Sequence, residues 1–286
     1  MKRIKIYQVD AFAEKAFQGN PAGVCIIRKP LDEKWMQAIA LEMNLSETAF
    51  AIPLEGTNVK SCSKFQLRWF TPVLEVDLCG HATLAMAKVL FDVCKVETEK
   101  IKFYTKSGEL IVSRINGGFC LDFPIDFFDQ VPVRSELLEV LGSGTIEDCV
   151  LSRKLKMLLI RLKSKEEVIA LKPDFTRLGN IEKLYSNRDF IVTARSTDEF
   201  DFVSRFFAPG FGINEDPVTG SAHTVLAPYW SEILHKKAMK ACQVSLRKGI
   251  LGLEIHGERV FITGNAIVIL EGELQWDDLE PHVLKD

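Results

Sequence analysis

The sequence repeats itself once, with an offset of about 140 residues. Several landmarks recur in the same order. They are Arg68-Trp69-Phe70-Thr71-Pro72 with Arg205-Phe206-Phe207-Ala208-Pro209, Gly80-His81-Ala82 with Gly220-Ser221-Ala222, Gly108 with Gly249, Ile115-Asn116-Gly117 with Ile255-His256-Gly257, and Leu121 with Phe261. Ordered matches of this kind exceed chance and indicate a duplicated structural unit. The repeat predicts two similar lobes related by a pseudo-twofold axis.

Each predicted lobe combines short strands with a helix that is apolar nearly all round. Residues 82–91 carry Lys88 as their one charged side chain, and residues 222–229 carry none. Such helices must be surrounded by protein. Strand patterns cover residues 4–9, 22–27 and 190–192, an amphipathic surface helix covers 31–43, Asn116-Gly117 and His256-Gly257 predict hairpin turns, and Pro228 should bend the second apolar helix.

The predicted fold class is therefore α+β, with a barrel-like, mostly antiparallel sheet around a buried central helix in each lobe. The predicted N-terminal lobe spans residues 1–125 and the C-terminal lobe 126–286, and the last strand is free to return to the first lobe. The crossover is expected within residues 124–151, where prolines and a Gly-Ser-Gly break interrupt the pattern.

Composition excludes several functional classes. The chain has 36 Lys+Arg and 39 Asp+Glu and a net charge of −3, so no basic excess supports nucleic-acid binding. No apolar run is long enough to span a membrane, and the N-terminus lacks the apolar core of a signal peptide. The 7 cysteines show no CxxC spacing, which is typical of reduced thiols. We expect a soluble cytoplasmic protein with no nucleic-acid or membrane partner.

Both apolar helices are predicted to begin at a glycine, Gly80 and Gly220, that follows a short polar turn. The first amides of a helix have no internal partners and favour anions, and glycine allows a ligand to approach closely. Two such helix starts facing one cleft would suit a carboxylate. The alternative is that both glycines only form tight turns.

Several motifs resemble signatures of the phenazine biosynthesis PhzF-like family. They are Val9-Asp10-Ala11-Phe12, Gly19-Asn20-Pro21-Ala22-Gly23-Val24, Asn44-Leu45-Ser46-Glu47-Thr48-Ala49-Phe50, Leu78-Cys79-Gly80-His81-Ala82-Thr83 and Glu215-Asp216-Pro217-Val218-Thr219-Gly220-Ser221-Ala222-His223. The resemblance covers the chain from its first strand to about Leu274. It implies a fold similar to diaminopimelate epimerase, with the active site between two barrel-like lobes.

The resemblance also implies a cofactor-free isomerase acting on a small carboxylic acid, without a metal, and a homodimer. In the family's characterised reaction, a proton moves from one carbon of an unsaturated cyclic amino acid to another. Glu47 matches the family's catalytic acid/base, while His81 and Asp216 match substrate-contacting positions, and all three are our candidate catalytic residues. The amides of Gly80-His81 and Gly220-Ser221 match the carboxylate cradle.

Each candidate also has a structural alternative. Glu47 could be a solvated surface glutamate, His81 a hydrogen-bonded core histidine, Asp216 a turn acceptor and Ser221 a helix cap. His223 lies inside the second helix and is expected to be packed or hydrogen-bonded rather than catalytic.

Two other functions remain open. Two-base racemases of this fold have a pattern that Cys79-Gly80 resembles: Cys-Gly at both helix starts, where one thiol removes a proton and the other returns one. Here Cys79 fits the first half, but Thr219 stands where the second thiol would be. Threonine is too weak an acid for that role, so we expect Cys79 to be a small buried residue. The second alternative is a non-catalytic binding protein. No HExxH, Walker, GxGxxG or GxSxG motif supports metal, nucleotide or serine-hydrolase chemistry.

Overall fold

The computed structural model describes residues 1–28, 31–56, 58–142, 144–187 and 189–277. The chain divides into two compact units. Unit 1 contains Met1–Asp122 together with the C-terminal segment from Thr263, and unit 2 contains Phe123–Ile262. Within the described ranges, no helix combines the length and the apolar character needed to cross a membrane.

Unit 1 is built mainly from strands. Its elements are β1 (Lys2–Ala11), β2 (Asn20–Ile26), α1 (Glu33–Met43), β3 (Glu47–Pro53), β4 (Lys64–Phe70), β5 (Glu75–Val76), α2 (Gly80–Lys88), β6 (Lys100–Thr105), β7 (Gly108–Ile115), β8 (Gly118–Pro124, which begins in this unit) and β18 (Ala266–Trp276). Strand β1 pairs antiparallel with both β2 and β18, so the C-terminal strand returns to the N-terminal one. The parallel pairs are β2–β3 and β4–β6, and β3–β4, β4–β5, β6–β7 and β7–β8 are antiparallel.

Helix α1 forms where the amphipathic pattern predicts a surface helix. The side chain of Asp32 caps its first turn by accepting from the Lys34 amide, and Asn44 ends it in the left-handed conformation. Its inward stripe includes Met36, Ile39 and Ala40, which pack into the same apolar cluster as Phe50 and Phe70. The chain that leaves α1 leads directly into β3 at Glu47.

Helix α2 is buried over its first eight residues, Gly80 to Ala87, as its apolar sequence predicts. It packs against β1, β2, β3 and β18. Its charged residue, Lys88, pairs with Asp92 at 2.6 Å at the exposed end. A π-helical turn over Val89–Val93 then ends the apolar run.

Unit 2 contains β9 (Phe128–Gln130), α3 (Ser135–Leu141), β10 (Ile146–Ser152), β11 (Met157–Leu162), α4 (Lys165–Ala170), α5 (Phe175–Tyr185), β12 (Asp189–Arg195), β13 (Phe202–Ala208), β14 (Ile213–Asp216), α6 (His223–Leu234), β15 (Ala238–Gln243), β16 (Gly249–His256) and β17 (Arg259–Gly264, whose end lies in unit 1). The predicted crossover segment, residues 124–151, thus holds β9, α3 and most of β10, and its Ser143 lies outside the described residues.

Strand pairing in unit 2 follows the order seen in unit 1. The parallel pairs β11–β12 and β13–β15 match β2–β3 and β4–β6, and β12–β13, β13–β14 and β15–β16 are antiparallel like their counterparts. The hairpin turn predicted at Asn116-Gly117 is confirmed, since it lies between β7 and β8. The second turn joins β16 to β17 one residue later than predicted, at residues 257–258, because His256 is still part of β16.

The repeated Arg motif also has the same contacts in each unit. Arg68 Nε donates to Glu75 and Arg205 Nε donates to Glu215, each at 2.7 Å, and a second nitrogen of each guanidinium completes a two-point ion pair. Each guanidinium also lies 5.0 Å from the ring of the phenylalanine two residues on. The sequence repeat is therefore a repeat of side-chain contacts as well as of strands.

The prediction that the second apolar helix begins at Gly220 is wrong, because α6 begins at His223 with Ala222 as its N-cap. The His223 and Thr224 amides bond to the carbonyls three residues earlier, Gly220 and Ser221, so this turn is 3₁₀-like. The Thr219 carbonyl instead accepts a hydrogen bond from Nδ1 of the His223 imidazole, at 2.8 Å. Ser221 consequently does not cap the helix, and Pro228 lies inside it.

Candidate active site

In unit 1, the polar side chains of Asn20, Glu47 and His81 lie close together at the start of α2. Asn20 is the first residue of β2 and Glu47 the first of β3, and these strands run parallel with Ala22 opposite Glu47. Gly23 allows this approach, because a Cβ there would lie 2.7 Å from the Thr48 hydroxyl. The two strand starts therefore meet the N-terminus of α2, which supplies His81.

Glu47 and His81 form the central contact of this cluster. Glu47 Oε2 lies 3.1 Å from His81 Nε2, and the two side chains are 14% and 5% exposed. No hydrogen-bond donor within the described chain is aligned on this carboxylate oxygen. The expectation of a solvated surface glutamate is therefore wrong, because β3 enters the core at Glu47.

Asn20 contacts the opposite nitrogen of the same imidazole. Its Nδ2 lies 3.2 Å from His81 Nδ1, and Ser46 Oγ donates to its Oδ1 at 3.5 Å. The Asn20 side chain is fully buried. The Asn20 amide and the Glu47 carboxylate therefore contact opposite nitrogens of the His81 ring.

Burial and charge act in opposite directions on this histidine. Burial lowers the pKa of His81, while the charges of Cys79 and Glu47 raise it, and the net pKa lies well above its ordinary value. Burial raises the pKa of the Cys79 thiol to about 11, so this thiol is uncharged near neutral pH. Glu47 is then the partner that raises the pKa of His81 under those conditions.

Cys79 is the N-cap of α2 and is buried, as expected for a small residue at a crowded turn. Its Sγ lies 3.5 Å from His81 Nδ1. Glu47, Cys79 and His81 offer ligand atoms within 4.8 Å of one another, and their types suit Zn²⁺. A metal would have to displace the proton of the Cys79 thiol, whose pKa burial raises to about 11.

Asp216 lies in unit 2, at the end of β14, and is 8% exposed. Its Oδ2 accepts a short hydrogen bond from the Thr219 hydroxyl. Gln243 Nε2 donates to the Asp216 carbonyl at 2.8 Å, and Gln243 Oε1 accepts from the Thr219 amide at 2.9 Å. The carboxylate thus has the turn contact expected from its Asp-Pro sequence, within a network that holds it in place.

His223 is fully buried and not available as an acid/base group, as predicted. Its Nδ1 donates to the Thr219 carbonyl, and burial lowers its pKa to about 4. Its ring stacks 6.3 Å from that of Phe202.

The structure places the predicted residues in two groups. Glu47, Gly80 and His81 lie together in unit 1, and Asp216, Gly220 and Ser221 lie together in unit 2. Sequence reasoning did not assign roles to Asn20, Ser46, Thr219 or Gln243, although the first three stand inside the quoted motifs. Gln243 had no local signal, because it reaches the Asp216 turn from a strand that follows much later in the chain.

The motifs extend to a whole-chain match. Residues 9–272 match the PhzC-PhzF family model, described as phenazine biosynthesis-like protein. The chain belongs to this family. It is 45% identical to an uncharacterized isomerase of Halalkalibacterium halodurans, over 96% of this chain and 99% of that protein. Relatives at 44–46% identity are named isomerases, and this chain is accordingly an isomerase-type enzyme.

Solved structures agree with the family assignment. A PhzF family protein of Enterococcus faecalis is similar with a TM-score of 0.89 at 43% identity, covering 96% of this chain and 100% of the other. A hydroxyproline epimerase of Agrobacterium vitis is similar with a TM-score of 0.59 at 11% identity, covering 97% and 94%. The phenazine biosynthesis-like chain therefore shares its mixed α/β fold with this epimerase.

Proposed function

We propose that this protein is a cofactor-independent isomerase that moves a proton between two carbons of a small carboxylic acid, with Glu47 as the proton carrier. The supporting observation is the buried contact of 3.1 Å between Glu47 and His81. The Glu47 carboxylate would remove a proton from carbon, leaving a delocalised carbanion, and the resulting carboxylic acid would return that proton to another carbon.

The buried setting of Glu47 suits this reaction. The His81 imidazole lies 3.1 Å from Glu47 Oε2 and limits the positions that the carboxylate can take. A base held in a defined position is better placed to take a proton from a bound substrate.

The alternative thiol mechanism has less support from the same site. Its base would be Cys79, but the pKa of this thiol is raised to about 11 by burial. Little thiolate forms near neutral pH at that value, and only the thiolate removes protons. The geometry favours the carboxylate over the thiol.

Substrate binding is proposed to use both units. The amides of Gly80-His81 and Gly220-Ser221 would hold the substrate carboxylate, because helix N-termini and 3₁₀-like turns present N–H groups that favour anions. His81 and Asp216 would orient the rest of the molecule. The proposal includes two barrel-like lobes, each with a central helix, a substrate cleft between them, and assembly as a homodimer.

Deuterium exchange tests the role of Glu47. The protein is incubated in D₂O with a panel of unsaturated cyclic acids and amino acids, and incorporation at carbon is followed by NMR. We expect exchange with at least one acid, a loss of about 100-fold or more in Glu47→Gln, and retention in Cys79→Ser.

Cys79→Ser is a matched control because it alters a side chain that contacts the same histidine. The reverse pattern, with exchange lost in Cys79→Ser and kept in Glu47→Gln, would establish the thiol mechanism instead. Loss in both variants with unchanged thermal unfolding would show that the two groups act together and would contradict a carboxylate acting alone.

A further inference from the structure

We infer that Phe17 is a specificity-determining residue whose ring contacts the apolar part of an acid bound beside Glu47 and His81. The basis is an exposed phenylalanine held in the left-handed backbone conformation three residues before Asn20. The effect of Phe17 on the reaction rests on the proposed function, whereas its effect on ligand binding can be measured without a reaction.

The loop between β1 and β2, residues 12–19, is anchored at both sides of Phe17. The buried Asp10 carboxylate accepts from the Phe17 amide at 2.8 Å. Gly19 has φ +70°, and a Cβ there would lie 2.2 Å from the Ala11 carbonyl oxygen, so the chain approaches β1 closely at this point. Because of these two anchors, the backbone of Phe17 has a defined position.

Two phenylalanines of this loop have positive φ, and they differ in burial. Phe12, with φ +57°, is 1% exposed, and a Cβ at Gly264 would lie 2.4 Å from its ring. Phe17, with φ +68°, is 72% exposed. Packing of the ring therefore offsets the strained backbone of Phe12 but not that of Phe17.

The strain at Phe17 points to a function. An exposed apolar side chain is by itself ordinary. Positive φ is unfavourable for a bulky residue, however, and such strain persists where the surrounding structure fixes it, most often at active sites and ligand-binding positions. The buried Asp10 carboxylate fixes the backbone of Phe17 while its ring stays in solvent.

Phe17 also lies close to the candidate site. Three residues span at most about 11 Å, which limits the distance between the Cα atoms of Phe17 and Asn20. Asn20 Nδ2 lies 3.2 Å from His81 Nδ1, and Glu47 Oε2 lies 3.1 Å from His81 Nε2. A small acid bound beside these three side chains is therefore near enough to be contacted by the Phe17 ring. That ring has a flat apolar face and no hydrogen-bonding group, so it favours acids with an apolar body over small hydrophilic ones.

Phe17→Gly tests the inference without straining the loop, because glycine adopts positive φ readily. We expect the variant to fold, with Tm unchanged or raised by about 1–3 °C. It should bind benzoate about 10-fold or more weakly than the wild type in NMR titrations, because the apolar contact is lost. Acetate, which has the carboxylate but no ring, should lose less than about 2-fold.

Lys95→Gly is the matched control. Lys95 is also exposed and has φ +59°, but it lies beyond the C-terminal end of α2 and of the π-helical turn. Its replacement should change Tm to a similar extent and leave benzoate binding as in the wild type. Phe17→Tyr keeps the aromatic face and should also bind benzoate as the wild type does.

The exchange assay adds a kinetic readout. Phe17→Gly should raise KM by about 10-fold and change kcat less, as expected for a contact made equally in the ground state and the transition state. If no acid exchanges but benzoate binding depends on Phe17, the proposed function fails and the inference holds.

Three results would overturn the inference. They are a wild type that does not bind benzoate, equal benzoate affinity in wild type and Phe17→Gly, and a changed oligomeric state of Phe17→Gly in size-exclusion chromatography. The last result would make the ring a contact between subunits.

Discussion

The turns that precede α2 and α6 share a scaffold but carry different chemistry. In each, a serine from the following hairpin donates to a carbonyl of the turn, Ser107 to Asp77 at 2.7 Å and Ser245 to Pro217 at 2.8 Å. In each turn a side chain also bonds to the carbonyl four residues earlier. Thr83 donates to the Cys79 carbonyl, and His223 donates to the Thr219 carbonyl. These hydrogen bonds to main-chain carbonyls are common to the two copies of the repeat.

The difference between the turns lies in what their polar side chains can do. In unit 1, His81 lies between Glu47 and Asn20, where a proton can be held and moved. In unit 2, the Asp216 carboxylate accepts from the Thr219 hydroxyl, and Gln243 donates to the Asp216 main-chain carbonyl. Burial lowers the pKa of the local histidine, His223, to about 4, so it is neutral near pH 7. Under the proposed function, unit 1 would perform the proton transfer and Asp216 of unit 2 would be a fixed hydrogen-bond acceptor.

The largest expected effect in unit 2 comes from Asp216→Asn. The amide oxygen can still accept from the Thr219 hydroxyl, so the turn should be kept, but the negative charge is lost. If Asp216 orients the substrate, exchange should fall by about 100-fold or more with little change in Tm. The measurement is deuterium incorporation with an acid that the wild type exchanges, together with thermal unfolding.

Thr219→Val is the control for Asp216. It removes the hydroxyl and keeps the carboxylate, so it should lower the free energy of unfolding by about 1–3 kcal/mol while exchange changes less than in Asp216→Asn. If Asp216→Asn incorporates deuterium at the wild-type rate, Asp216 has only the structural role of a turn acceptor that its Asp-Pro sequence suggests.

A second prediction concerns the pH dependence of stability. Burial lowers the pKa of His223 to about 4, against about 6.5 in an unfolded chain. Between these values the unfolded state binds a proton that the native state does not. The contribution of His223 to the free energy of unfolding therefore falls as pH falls from 6.5 to 4, and this contribution changes no further below that. The size of this loss is about 3 kcal/mol.

His223→Gln should remove that part of the pH dependence, because its amide can still donate to the Thr219 carbonyl and does not titrate. Urea unfolding at several pH values between 4 and 7 measures the slope. Thr83→Val, the corresponding change in unit 1, should lower stability by about 1 kcal/mol at every pH. Equal slopes in wild type and His223→Gln would contradict the prediction.

The sequence predicted those parts of the fold that depend on local pattern. The amphipathic stripe of residues 31–43, the apolar run after Gly80 and the two hairpin turns each determine an element through neighbouring residues. The prediction for the start of α6 fails because the His223 and Thr224 amides bond to carbonyls three residues earlier, and the glycine before this turn does not distinguish a 3₁₀-like turn from an α-helical one.

The sequence predicts the site residues that stand in local motifs, but not the contacts that depend on the tertiary fold. Glu47 and His81 stand in motifs that a resemblance to the family identifies, whereas the pairing of Asn20 with His81 depends on β2, β3 and α2 meeting in space. Gln243 reaches the Asp216 turn only because β13 and β15 run parallel. Long-range register of this kind has no signature in a single sequence.

The smallest expected effect separates the two copies of the Arg–Glu pair. Arg68→Lys removes the two-point contact with Glu75, but Glu75 also pairs with Lys106 and keeps a cationic partner. Arg205→Lys weakens the contact with Glu215 and also removes the bond from the Arg205 guanidinium to the Leu171 carbonyl at 2.9 Å. A lysine cannot reach carboxylate and carbonyl together, because it lacks the planar fork.

We expect Arg205→Lys to lower the free energy of unfolding by about 1–2 kcal/mol and Arg68→Lys by less than about 1 kcal/mol, measured by urea unfolding. Equal losses would show that the two-point contact alone matters, and the copies would then be equivalent in energy as well as in geometry.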